Sequence, residues 1–284
     1  MNAKSTIGIV CRIVLISVCW TCPGAARIAQ AEAPQHLPAD LELREDGPQH
    51  YEVTTVWHNR DAVGKATGKY VMSGLYTRGL EGGDVRWNDV RIAVFRDPEG
   101  AVADTLFQET MENFSYKSPE GVADPMLFAR LPADETRHLL GTLIWDTVAV
   151  EAFAWTWFDK LEMNSLYRPA EFEDSTVQMA DWGTLKMQGL RLRWTGESTM
   201  NGEKCAVIQY ESLVNPIRSV GMNGRSLYWG TILVSLEDKQ IEHGTLNEDI
   251  LINRPPSGDS SGILNIQREF TFVRVHGFSG GAGE

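Results

Sequence analysis

Apolar and polar residues alternate through most of this chain, and that period of two predicts strands. Across residues 85–96, Val90, Ile92 and Val94 alternate with Asp89, Arg91 and Ala93, and the run stops at the turn sequence Asp97-Pro98-Glu99-Gly100. Residues 51–57 and 68–76 are further β-rich runs separated by polar turn residues, and residues 105–116 predict another strand. In the second half, residues 190–199 and 204–212 flank Asn201-Gly202, a pair that tolerates the positive φ of a tight hairpin turn. Residues 226–236, 240–252 and 263–275 continue as a meander.

One segment breaks this rhythm. Asp134 can cap a helix through residues 135–140, and residues 139–158 are apolar on nearly every face. That length would suit a membrane span. Asp146 and Glu151 lie near its middle, however, and each would cost roughly 2.5–3.5 kcal/mol there. A buried helix packed on the sheet is the better reading. A helix followed by a strand from Val148 is the alternative, because Val148, Val150, Ala152 and Ala154 also fit a period of two. The expected fold is mainly β (α+β): a curved antiparallel β-meander sheet packed on one central helix. By fold analogy only, the pattern resembles exported half-barrel carriers that wrap a sheet round a helix to hold an apolar ligand. Such a likeness implies a ligand in the concavity without establishing one.

The ends of the chain set its organisation. Lys4 and Arg12, the apolar run 13–20, the breaker Pro23-Gly24 and the small residues of Ala29-Gln30-Ala31 and Ala31-Glu32-Ala33 have the order of an export signal. Cleavage is expected after Ala33, or after Ala31. A lipoprotein signal needs a small residue before the lipidated cysteine, but Val18 precedes Cys19 and Thr21 precedes Cys22. The expected organisation is a signal peptide at 1–33, a flexible lead-in at 34–49, one β-rich domain at 50–276 and a flexible Gly-rich tail at 277–284. The protein is therefore expected in the periplasm or secreted, with no stable transmembrane span after cleavage.

Removing residues 1–33 lowers Lys and Arg from 26 to 23 and Asp and Glu from 38 to 37, so the net charge falls from −12 to −14. Such a surface repels nucleic acid and anionic lipid. Only Cys205 remains, so no internal disulfide can form and stability must come from core burial. Cys205 lies in a strand-like run and reads as a buried small hydrophobe.

Motifs for catalysis are weak. Gly258-Asp259-Ser260-Ser261-Gly262 matches G-x-S-x-G, but Pro255-Pro256 precede it, a strand follows, and no aspartate lies beyond it. A hairpin loop explains the same residues. The six histidines are scattered without metal-ligand spacing, and no Gly-rich loop opens a helix, so neither a metal nor any other cofactor is called for.

One constellation follows from strand registers. If Asp238-Lys239 is a two-residue turn, Leu236 pairs with Ile241 and Trp229 falls opposite Glu248. If the next loop closes at Ile252 and Leu264, Glu248 falls beside Arg268. Trp229, Glu248 and Arg268 then form a row on an otherwise apolar face. That row is either a structural ion pair with a stacked tryptophan or the polar anchor of a ligand site. Trp155, Trp157, Trp182, Trp194 and Trp229 raise carbohydrate or lipid binding as a reading, but core filling is the stronger explanation for them.

Three functions are carried forward. The first is a non-enzymatic exported protein that binds an apolar or amphipathic small molecule, or an envelope protein, in the concavity of the sheet, within a cavity of several hundred Å³. The second is a hydrolase that pairs Glu171, Asp174 or Asp181 with another acid of raised pKa. The third is a structural or assembly protein with an exposed apolar patch.

Overall fold

The alternating runs pair into one open, curved antiparallel sheet in a computed structural model of the chain. It describes residues 35–277 except 96, 103, 135, 174, 179–182, 220–221 and 254–261. The strands are β1 (Gln49–Arg60), β2 (Ala66–Arg78), β3 (Asp84–Phe95), β4 (Asp104–Phe107), β5 (Phe114–Lys117), β6 (Thr176–Gln178), β7 (Thr184–Lys186), β8 (Arg191–Met200), β9 (Glu203–Ser219), β10 (Met222–Ser235), β11 (Ile241–Asn253) and β12 (Ile263–Arg274). Two α-helices, α1 (Pro125–Ala129) and α2 (Thr136–Trp155), lie between β5 and β6.

The sheet order is β4-β3-β2-β1-β12-β11-β10-β9-β7-β6, with β5 also on β3 and β8 also on β9. Two meanders, β1 to β3 and β9 to β12, are thus joined where β1 pairs with β12. Met200 pairs with Glu203 across Asn201 and Gly202, at φ 53° and 88°, the tight turn expected there. The strand expected over 105–116 is split. β4 and β5 pair with opposite halves of β3, and a 3₁₀ turn at Glu109–Met111 separates them. Buried Met111 and Asn113 at φ 57° turn the chain between the two.

α2 is one continuous helix, so the alternative strand from Val148 does not form. Both periods fit those residues, and the partly exposed Trp145, Ala149 and Ala152 recur at helical spacing while the other faces are buried. Val150 and Ala154 are fully buried, and a Cβ added to Gly244 of β11 would come within 2.8 Å of a Val150 methyl. Asp134 caps the helix, its Oδ1 accepting the Thr136 backbone N–H at 2.9 Å. Phe153 stacks on Tyr228, ring centroids 5.8 Å apart, and Trp155 donates its indole N–H to the Lys239 carbonyl at 2.8 Å.

The lead-in expected to be flexible is tied down over its described part. Leu37 is buried and its N–H bonds the Leu161 carbonyl, while Arg44 N–H bonds the Asp238 carbonyl at 2.9 Å. The Arg44 carbonyl in turn accepts from Gln240 Nε2 at 2.6 Å. Residues 1–33 and 278–284, with the expected signal and nearly all of the expected tail, lie outside the described residues. No described helix is long and apolar enough to cross a membrane.

Candidate functional site

The concave face of the sheet carries a row of paired side chains over five strands. Tyr70, Trp57, Arg268, Glu248 and Tyr228 follow one another across β2, β1, β12, β11 and β10. Paired residues share a face, so all five point toward α2. Arg268 Nη2 donates to Glu248, and Nη1 donates to Asp146 of α2 at 2.6 Å. Ser226 donates its hydroxyl to the second Glu248 oxygen. The guanidinium carbon lies 5.2 Å from the Trp57 ring centroid. All three ionisable groups are buried.

The expected pairing of Glu248 with Arg268 is therefore found, and the same register sets Ile250 beside Ile266 and Leu246 beside Phe270. Trp229 is not part of this row. It pairs with Asn247, and Tyr228 takes the place opposite Glu248. The reason lies at the end of the hairpin. Leu236 to Lys239 form a four-residue loop, closed by Ser235 N–H on the Gln240 carbonyl at 2.8 Å, with Lys239 at φ 61°. The Ser235 hydroxyl accepts the Glu237 N–H at 3.1 Å. Leu233 then pairs with His243 and Val234 with Ile241, so Glu242 is an extra residue. This bulge shifts the register by one from that of a two-residue turn, and a shift of one turns a side chain to the other face. Trp229 stands on the convex side, 39% exposed. Trp57 supplies the stacked indole instead.

Two carboxylates share one guanidinium here. Burial pushes the Asp146 carboxyl above its ordinary value of 3.8, and the Arg268 charge pulls it only part of the way back. Protonation of Asp146 would leave Arg268 and Glu248 as a neutral pair. Arg268 Nε is buried with no hydrogen-bond partner among the described residues.

No family model matches the chain, and no curated protein matches it. Among solved structures, the chain is similar to a DUF1329 family protein from Desulfovibrio piger ATCC 29098. The two are 9% identical, the match covers 83% of this chain and 89% of that one, and the TM-score is 0.18. So loose a superposition supports no statement about fold or function.

The middle of the concavity, where an open cavity was expected, is occupied by α2. Leu143, Ile144 and Val150 are fully buried, and Phe153 packs against Tyr210 and Tyr228. Beyond Arg268 the cover thins. Ile250, Ile252, Leu264 and Ile266 form an apolar block two residues deep on each strand, and all four are half-buried. Trp57, Tyr70 and Val94 continue this half-buried strip across β1 to β3.

Two other buried acids are structural. Glu151 of α2 accepts from Arg78 Nη1 at 2.5 Å, from the Tyr76 hydroxyl at 2.8 Å and from the Ser118 hydroxyl at 2.9 Å. Glu242 accepts from Arg274 Nη1 at 2.6 Å and lies 2.5 Å from His276 Nε2. The paired catalytic acids expected around Glu171 gain no support. Its carboxylate accepts the Trp157 indole N–H at 2.5 Å, which holds its pKa below the usual range, opposite to an acid catalyst. Asp174, Asp181 and Ser260 lie outside the described residues. Among the described residues, no three His, Cys, Asp or Glu side chains gather as a metal site. Cys205 is buried, and burial, with the charge of Glu242 adding, pushes its thiol up to about 11.

Proposed function

We propose that this is an exported, non-enzymatic protein that holds an apolar or amphipathic ligand against the open end of the concave face. One observation carries the reading: a half-buried block of Ile250, Ile252, Leu264 and Ile266 adjoins Arg268, whose Nε–H has no acceptor among the described residues. An apolar surface with one buried polar donor suits a ligand with a hydrocarbon body and a single acceptor group. An apolar segment of an envelope partner offers the same chemistry. Export rests on the charge, apolar run and small residues of the first 33 positions, and places the protein in the periplasm or outside the cell.

Native mass spectrometry of the protein purified from its own envelope tests the reading. A copurifying apolar molecule is expected, and Ile266→Glu should lose it because a carboxylate would enter the strip. A bare wild-type monomer overturns the ligand reading. Amino-terminal sequencing of the same sample should give a chain starting at residue 34 or 32, and an uncut chain overturns export.

An assembly role draws on a different observation. β4 ends the sheet and exposes Leu106 and Phe107, and a bare apolar edge invites pairing with another strand. Concentration-independent monomeric mass by light scattering would remove self-assembly through that edge.

A further inference from the structure

We propose a second binding site on the convex face, a cleft for a short oligosaccharide with Trp229 as its platform. The cleft has a volume of about 510 Å³, within the range of small-ligand sites. Trp229 pairs with Glu211 on β9 and Asn247 on β11, and Arg191 of β8 lies beyond Glu211. The next row sets Thr231 beside Gln209, with Arg193 beyond. Leu166 and Leu213 add apolar sides. The Leu166 wall belongs to a segment laid along β8, where Asn164 N–H bonds the Trp194 carbonyl at 2.8 Å and Tyr167 N–H bonds that of Leu192 at 2.9 Å.

The sheet opens locally beside the tryptophan. Between the Trp229–Asn247 and Ile232–Gly244 pairs the β10–β11 ladder is interrupted. Tyr210 reaches across Gly230 from β9 and donates its hydroxyl to the Thr245 carbonyl at 2.6 Å, and Thr245 Oγ1 accepts the Thr231 N–H at 3.1 Å. A Cβ on residue 230 would lie 2.5 Å from the tyrosine oxygen, so only glycine permits the arrangement.

The lining chooses the ligand class. A pyranose ring has a C–H face that stacks on an indole and neighbouring hydroxyls that planar guanidinium, carboxylate and amide groups bind in pairs. Arg191 and Glu211, 3.2 Å apart, present donors and an acceptor with no net charge. Gln209 and Asn247 add amides. An aliphatic chain would meet too many polar groups. A peptide strand would find no free sheet edge, because β9, β10 and β11 each have a neighbouring strand on both sides and the β10–β11 interruption spans only Gly230 and Thr231. A nucleic acid would meet a chain of net charge −12, against which Arg191 and Arg193 with Glu211 leave the cleft a single net positive charge.

Isothermal titration of the purified protein with oligomers of glucose, xylose, mannose and N-acetylglucosamine tests this, with an extended peptide library as the competing probe. At least one sugar series should bind and quench tryptophan fluorescence. Trp229→Ala should weaken that binding by about tenfold or more, while Trp229→Phe retains most of it. Asn247→Ala, which leaves the platform in place, should also weaken it, with the thermal midpoint unchanged in all three variants. No binding by any sugar, binding indifferent to Trp229→Ala, or a cleft that takes peptide alone would each overturn the proposal. The concave strip lies on the opposite face of the sheet, so failure at one site leaves the other reading standing.

Discussion

A guanidinium held between two carboxylates is stabilised only as long as its partners remain, and Arg268 shows how unequal those partners are. Removing it leaves Glu248 and Asp146 buried and repelling, so Arg268→Met should lose about 3–5 kcal/mol in urea unfolding at neutral pH. Asp146→Asn should behave differently. The folded state holds the Asp146 proton more tightly than the unfolded chain does, since burial raises its pKa above 3.8. Its contribution to stability is full below 3.8 and is lost as the pH rises through the raised value. An asparagine keeps an oxygen for Arg268 and cannot ionise. The variant should therefore match or exceed the wild type at about pH 7 and show a flatter stability profile above about pH 4. A loss at neutral pH as large as that of Arg268→Met would show that the ionised carboxylate is required. The Glu248–Arg268 pair was legible in the sequence because β11 and β12 are neighbours with matching apolar patterns. Asp146 signalled itself only as an acid in an apolar helix, and nothing local tied Trp57 to Arg268.

Elements were legible where turns are local and regular. The Asn201-Gly202 turn sets the register of β8 on β9, and Gly202→Ala should cost about 1 kcal/mol or more, because its φ of 88° strains any Cβ. Chemical denaturation checks this directly. The β10–β11 hairpin misled because a serine-braced loop and one bulged residue look the same in sequence as a tight two-residue turn. Helix α2 has a different dependence, since it meets β11 where Gly244 leaves room for Val150. Gly244→Val should force the helix away from the sheet and destabilise the protein by about 1–3 kcal/mol. The near-ultraviolet circular dichroism of Phe153 and its tyrosine neighbours should change with it.

At the scale of the whole molecule, buried ion pairs and hydrogen bonds link distant parts of the chain. Asp146 ties α2 to β12, Glu151 ties it to β2, and Arg44 and Gln240 fasten the lead-in to the β10–β11 loop. Deleting residues 35–48 should lower the thermal midpoint measurably, because Leu37 leaves the core and Gln240 loses the Arg44 carbonyl. An unchanged midpoint would show that the lead-in only lies on the surface. Cys205 should resist thiol reagents in the folded protein and react on unfolding, as a buried thiol with a raised pKa must.

The sequence by itself determined the long strands β1 to β3 and β8 to β12, the central helix, the hairpin of β8 and β9 and the pairing of Glu248 with Arg268. Each follows from alternation, capping or turn chemistry acting over a few residues. Tertiary structure alone decided that β1 closes on β12, that α2 fills the concavity it was expected to leave open, and that Asp146 joins Arg268. It also decided the face on which Trp229 stands. Side-chain direction in a strand has a period of two, so one bulged residue at Glu242, selected by its contacts with Arg274 and His276, reverses what the local pattern implies.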